Sequence, residues 1–289
     1  MEKTCMEYLP STGQWAKYKK LMYFTVVLFC VAIVALSLIK KLYAGDMAKW
    51  PQEGSEVWSA GDLVIDVSNI SQGYFLARSA YEISQRLKLR VVVNGTTLDY
   101  DLPGTAKYIV VPLQMGSGYY EATLYENVSG KKYMEAGSMG FYAELEQENI
   151  AFLYPNQYVD YTRESGAVAE SDSLSQGQSQ RAIFDAVCNF MKSGFVYDFI
   201  KAVSIKPGML PDIDGSFEKR MGVCQDLSAI MCCMLRIQGI PSRLVIGYAD
   251  GEYHAWVVAT VDGEDIFYDP TAELNAINFP KEYSVERFY

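Results

Sequence analysis

The sequence predicts an α+β protein in which an all-β sandwich precedes a mixed α+β domain, both carried behind an apolar N-terminal helix. Three observations carry this. Residues 21–39, LMYFTVVLFCVAIVALSLI, hold no charge across their whole length. From 57 to about 150, apolar residues alternate in short runs between Gly-rich turns, the period of a pleated strand. Beyond 177 the period lengthens to that of a helix and then returns to that of strands.

The apolar run comes first. As a helix it measures about 28 Å, close to the hydrocarbon thickness of a bilayer. The apolar core of a secretory signal is only ~7–15 residues long and ends at a small-residue cleavage site. Here Lys40-Lys41 follow directly, so 21–39 reads as an uncleaved transmembrane helix. Four Lys precede it (3, 17, 19, 20) and three follow closely (40, 41, 49). That balance favours a cytoplasmic tail, 1–20, and an extracytoplasmic body at the cell membrane. Residues 1–41 carry six Lys and two Glu, net +4; subtracting from the total of −10 leaves −14 on 42–289. An acidic body with no basic run excludes nucleic acid as a partner. The Asn-x-Ser/Thr sites at Asn69, Asn94 and Asn127 are compatible with export.

Residues 40–56 read as a linker and 57–150 as the sandwich domain. RLKLRVVV (86–93) runs into Asn94-Gly95 and then TTLDYDL, a strong hairpin signal. DLVIDVSN (62–69) and GYFLARSA (73–80) precede it; KYIVVPLQ, GYYEATLYENV and KKYMEAGSMGFYAEL follow. Six or seven short strands at this spacing predict an immunoglobulin-like antiparallel sandwich. Residues 151–177, irregular and polar, read as a second linker, and 178–289 as the α+β domain. There Ile183, Phe184, Val187, Phe190 and Met191 form one helical stripe across 178–192. A Pro/Gly/Asp-rich loop occupies 206–215, and a helix from Cys224 ends at Gly239 with Pro241 beyond. RLVIGY (243–248), YHAWVVAT (253–260) and EDIFYDPT (264–271) read as strands.

Three residues in this half carry chemistry: Cys224, His254 and Asp269. Cys224 opens a helix, where unpaired backbone N–H groups and the positive end of the dipole favour thiolate over thiol. Cys232 and Cys233, inside the same helix, read as buried apolar residues. Val261-Asp262-Gly263-Glu264 has the form of a two-residue hairpin turn. Paired positions then sum to 525, placing Trp256 opposite Asp269 and His254 opposite Thr271. His254, the one histidine of the chain, thus becomes a diagonal neighbour of Asp269. Ala255, Val257, Ala259 and Val261 form the opposite, core-facing side. In acyl-transfer chemistry Cys224 attacks a carbonyl carbon, His254 moves the proton and Asp269 orients the imidazole. The backbone N–H of Cys224 is a natural oxyanion donor. Tyr197, Gln225 and Trp256 are candidates to shape a substrate site. A zinc site of Cys224, Cys232, Cys233 and His254 is disfavoured, because adjacent helical Cys point about 100° apart and no Cys-x-x-Cys pair exists. No metal and no cofactor is expected.

The segments GVCQDLSAIMCCMLRIQGIPSRLVIGY and YHAWVVATVDGEDIFYDPT resemble the core of the transglutaminase-like superfamily: a Cys at a helix start, a His-Ala-Trp strand and an Asp-Pro-Thr strand. LYPNQYV (153–159) and GMLPDIDG (208–215) also resemble membrane-anchored transglutaminase-like proteins of Gram-positive bacteria that carry an N-terminal β-sandwich. The resemblance implies a papain-like fold, with the nucleophile helix on a small antiparallel sheet. It also implies that Cys224 is the nucleophile, His254 the base and Asp269 the orienting carboxylate. The expected activity is a cysteine enzyme forming a thioester with a glutaminyl or peptide amide, resolved by an amine or by water. A protein or peptide donor associated with the cell wall follows from location. The alternative is a cell-surface module that uses the same fold and the sandwich to bind a peptide or glycan.

Overall fold

The computed structural model describes residues 19, 22–29, 48–206, 208–275 and 280–289. They fall into two units. In the first, residues 22–29 are helical with exposed side chains. The rest of the expected membrane span, 21–39, and nearly all of the tail lie outside the described residues. Among the described residues no helix is long and apolar enough to cross a membrane.

The second unit begins with eight strands: β1 (Val57–Ala60), β2 (Leu63–Asp66), β3 (Tyr74–Ser79), β4 (Leu87–Val93), β5 (Thr96–Leu102), β6 (Ile109–Pro112), β7 (Gly118–Ser129) and β8 (Lys132–Ala143). They form two antiparallel sheets, ordered β1-β2-β3-β6 and β5-β4-β7-β8. Alternation drives this. Leu87, Leu89, Val91 and Val93 of β4 are all buried, while the residues between them are not. At the end of β4, Asn94 and Gly95 take φ of 49° and 78° and set Val93 opposite Thr96. The two sheets meet across a shared core in which Phe75 and Phe141 pack edge to face, 5.1 Å apart.

Both expected linkers are packed where they are described. Trp50 lies edge-on to Tyr161 at 5.7 Å, with the Arg163 guanidinium 4.6 Å over its ring. Residues 151–177, expected to be irregular, include a buried 3-10 turn at Ile150–Leu153 and helix α1 (Gly166–Leu174). The polar composition of α1 hides a narrow contact face. Ala167 and Ser171 are fully buried on it, and Ser171 Oγ donates to the Met234 carbonyl at 2.6 Å.

The α+β half continues with α2 (Gln180–Gly194), β9 (Val196–Tyr197), α3 (Phe199–Ser204), α4 (Ile213–Lys219), β10 (Met221–Gly222), α5 (Cys224–Arg236), β11 (Ser242–Ala249), β12 (Glu252–Val261), β13 (Glu264–Tyr268), α6 (Pro270–Asn275) and β14 (Tyr283–Phe288). Helix α2 starts where Ser179 accepts from the Ala182 N–H, and it buries Ile183, Phe184, Val187 and Met191. The expected 206–215 loop gives way early to α4, because Asp212 caps it by accepting from the Gly215 N–H. Helix α5 is all but sealed: Leu227 to Leu235 are fully buried. It lies on a four-stranded antiparallel sheet ordered β13-β12-β11-β14. Ala255, Val257, Ala259 and Val261 face this core, as their alternation predicts.

Candidate active site

The N-terminus of α5 is built by one carboxylate. Asp226 is fully buried and accepts from the backbone N–H of Val223 at 3.0 Å, which fixes the turn that presents Cys224. The same carboxylate accepts from the Asp212 N–H at 2.9 Å and pairs with Lys201 at 2.7 Å. The α3 segment and the loop before α4 are therefore both tied to the residues beside Cys224. Cys224 itself is partly exposed, unlike Cys232 and Cys233, which are sealed. Burial pushes the Cys232 thiol up to about 12. Its neighbour Cys233 is driven up for the same reason, so neither is a nucleophile at neutral pH.

The hairpin register follows the 525 sum from Val261–Glu264 to Val257–Tyr268. There the ladder stops, and the expected pairing of Trp256 with Asp269 and of His254 with Thr271 does not form. Pro270 has no N–H to give a strand, and it opens α6 instead. Asp269 caps that helix, its Oδ1 accepting from the N–H groups of Thr271 and Ala272 at 2.9 and 3.0 Å. The turn leaves Oδ2 on His254 Nε2 at 2.8 Å. The contact expected across a sheet is thus made across a helix cap.

His254 Nε2 is engaged by Asp269, so Nδ1 is left to serve the Cys224 sulfur. Burial disfavours the imidazolium, but hydrogen bonds from Asp269 and Cys224, and the charge of both, outweigh it and push the His254 pKa up to about 9. For Asp269, burial raises the pKa. The hydrogen bond and charge of His254 together with the Ala272 N–H and the Tyr283 hydroxyl more than reverse this, so it stays ionised. Its side chain is 1% exposed and that of His254 15%, so the pair works almost out of water.

Tyr283 is a site residue that sequence reasoning missed. Its hydroxyl donates to Asp269 Oδ2 at 2.8 Å, and its ring stands 5.1 Å from that of Trp256. Nothing in the local sequence marks it, because it arrives on β14, which pairs with the far side of β11. Lys201 and Asp226 were likewise overlooked. Of the residues expected to shape a substrate site, Tyr197 is half-buried. Its hydroxyl pKa is pushed up to about 12 by burial and, next, by Cys224. Gln225 Nε2 donates to the Met209 carbonyl at 3.1 Å and tethers the loop. Trp256 is 2% exposed and packs against Tyr283 and Phe267. Among the described residues no cluster of three or more His, Cys, Asp or Glu is placed to hold a metal ion.

Residues 169–270, which include all three side chains, match the family model for the transglutaminase-like superfamily. The chain therefore carries a transglutaminase-like domain in that stretch, a mixed α+β core with antiparallel sheets. No curated protein matches by sequence. Among solved structures, a TGase aligns at 18% identity and TM-score 0.33 over 40% of this chain and 32% of its own. A candidate cysteine protease from Cytophaga hutchinsonii aligns at 12% and 0.36 over 75% and 83%. Red sea bream transglutaminase aligns at 12% and 0.27 over 68% and 48%. The chain thus spans about a third of the first of these and about half of the last. At such scores these alignments carry no argument about chemistry.

Proposed function

We propose that the protein is a cysteine acyltransferase or amide hydrolase acting on a glutaminyl or peptide amide. The observation that supports this best is the hydrogen bond at 2.8 Å between His254 and the buried Asp269, with Cys224 acting on the same imidazole from a helix N-terminus. With the proton already held on His254 Nδ1, the Cys224 sulfur bonds to the amide carbon. The Cys224 N–H, at a helix start with no intrahelical acceptor, faces the developing oxyanion. The C–N bond then breaks, and the leaving nitrogen takes the proton from His254 as ammonia or an amine. The thioester is opened by an incoming amine, which cross-links, or by water, which hydrolyses. Asp269 holds the imidazole in one orientation and stabilises its charged form. The apolar run 21–39 supports attachment to a membrane with the body outside, where wall peptides or surface proteins would be the donors.

The test is ammonia release from a glutaminyl peptide, with and without a primary amine, by the full chain and by Cys224→Ala. Release is expected from the first and none from the second. Equal release by Cys224→Ala would remove the nucleophile from the proposal.

A further inference from the structure

Large apolar side chains are exposed on the segment that is tied to the neighbours of Cys224. Val196, Phe199, Ile200, Val203 and Met209 are 57%, 69%, 83%, 88% and 45% exposed. Single exposed apolar residues are ordinary, but a contiguous set marks a contact surface. The polar groups of α3 are turned to other work, and the exposed Lys206 lies beyond it. Asp198 caps α3 through the Lys201 N–H, and the Lys201 ammonium is held by buried Asp226.

The surface is also fixed in place. Val196 and Tyr197 pair with Met221 and Gly222, and the Asp198 N–H donates to the Gly222 carbonyl. At its other end, the Met209 carbonyl accepts from Gln225 and the Asp212 N–H donates to Asp226. Residues 222, 225 and 226 flank the candidate nucleophile, so the ridge has a set position relative to the thiol. A sixth exposed apolar side chain, Phe267, lies on the Asp269 side of the site: it is 48% exposed and edge-on to Tyr283 at 4.8 Å, and Tyr283 donates to Asp269.

We propose that the 196–209 ridge docks the acyl donor, and that this donor is a polypeptide with apolar side chains beside the reacting amide. The proposal rests on the acyl-transfer reading above. The ridge is tied to the site through residues 222, 225 and 226, and α3 gives a sugar or a charged small amide no unengaged polar partner. Apolar side chains would be covered there as the amide reaches Cys224.

The probes are two peptidyl chloromethyl ketones of equal length, one with Phe and Leu beside the electrophile and one with Ser and Asp. Iodoacetamide, which has no flanking groups, is the control. The full-length chain in lipid nanodiscs is labelled with each, and the rate at Cys224 is read by peptide mass spectrometry. The apolar reagent is expected to react roughly ten-fold faster than the polar one, the discrimination that a few apolar contacts supply. The double variant Ile200→Ser, Val203→Ser changes two side chains more than four-fifths exposed. It is expected to remove most of that ratio while leaving iodoacetamide labelling unchanged. Equal rates for the two peptides, or a preference that survives in the double variant, overturns the proposal. A double variant that keeps the ratio but binds liposomes less tightly assigns the ridge to a bilayer and overturns it too. Iodoacetamide labelling that ignores His254→Ala would instead sink the acyl-transfer reading beneath it.

Discussion

Asp269 spends both carboxylate oxygens: Oδ1 on the cap of α6, and Oδ2 on His254 and Tyr283. Asp269→Asn keeps the cap but removes the charge. It is expected to lower turnover by roughly 10²–10⁴-fold, as loss of the orienting carboxylate does in related triads. Its effect on stability has a sign that depends on pH. The folded His254 pKa, about 9, exceeds the ~6.5 of an unfolded histidine, so its contribution is complete below about 6.5 and lost as pH rises through 9. The depressed Asp269 pKa contributes above ~3.9, and that contribution is lost as pH falls through its folded value. Urea midpoints should therefore separate Asp269→Asn from the parent at pH 7 and bring the two closer at pH 10. Tyr283→Phe removes one donor to Asp269 Oδ2. It should cost about 1 kcal/mol in urea unfolding and reduce turnover several-fold.

At the scale of elements, the strap from β9 through α3 to α4 hangs on Asp226. Asp226→Ala strips acceptors from the Val223 and Asp212 N–H groups and leaves the part-buried Lys201 unpaired. A loss of roughly 2–4 kcal/mol is expected by urea unfolding. Turnover should fall with it, since the turn before Cys224 loosens. Strands β2 to β8 of the sandwich, helix α2 and the nucleophile helix were legible in the sequence from their apolar periods; β1, four largely exposed residues, was not. Helix α1 was not, since its contact face is made of Ala and Ser. The end of β13 was misread although the signal was present: Asp-Pro-Thr is an N-cap followed by Pro at the first helical position. Cys224, His254 and Asp269 could still be singled out as candidates, because their types and order do not depend on the local geometry that was misread. Tyr283 could not, because its role comes only from the pairing of β14 with β11.

On the scale of the whole molecule, the sandwich and the α+β half share structure from residue 48 onward. Gln114 Nε2 donates to the Phe288 carbonyl at 2.6 Å, and Tyr289 stacks on Tyr158 at 3.5 Å. Arg236, fully buried, donates to the carbonyls of Tyr154, Ser242 and Tyr289 and so joins the 150–154 turn, β11 and β14. Burial draws its pKa down, which marks the cost of holding this charge out of water. Arg236→Ala leaves those carbonyls unsatisfied and should cost roughly 3–5 kcal/mol. The shared core predicts that residues 48–289 unfold in one transition, reported alike by near- and far-ultraviolet circular dichroism. Two resolved transitions would show that the halves are independent.

The coupling of Cys224, His254 and Asp269 is the centre of the account, and the chain offers a clean reporter of it. Its one histidine gives a single imidazole resonance set in NMR. Titration of that ring should give a pKa near 9 in the parent, falling towards ~6.5 in Asp269→Asn and falling partway in Cys224→Ala. A ring that titrates near 6.5 in the parent and ignores both substitutions would contradict the account.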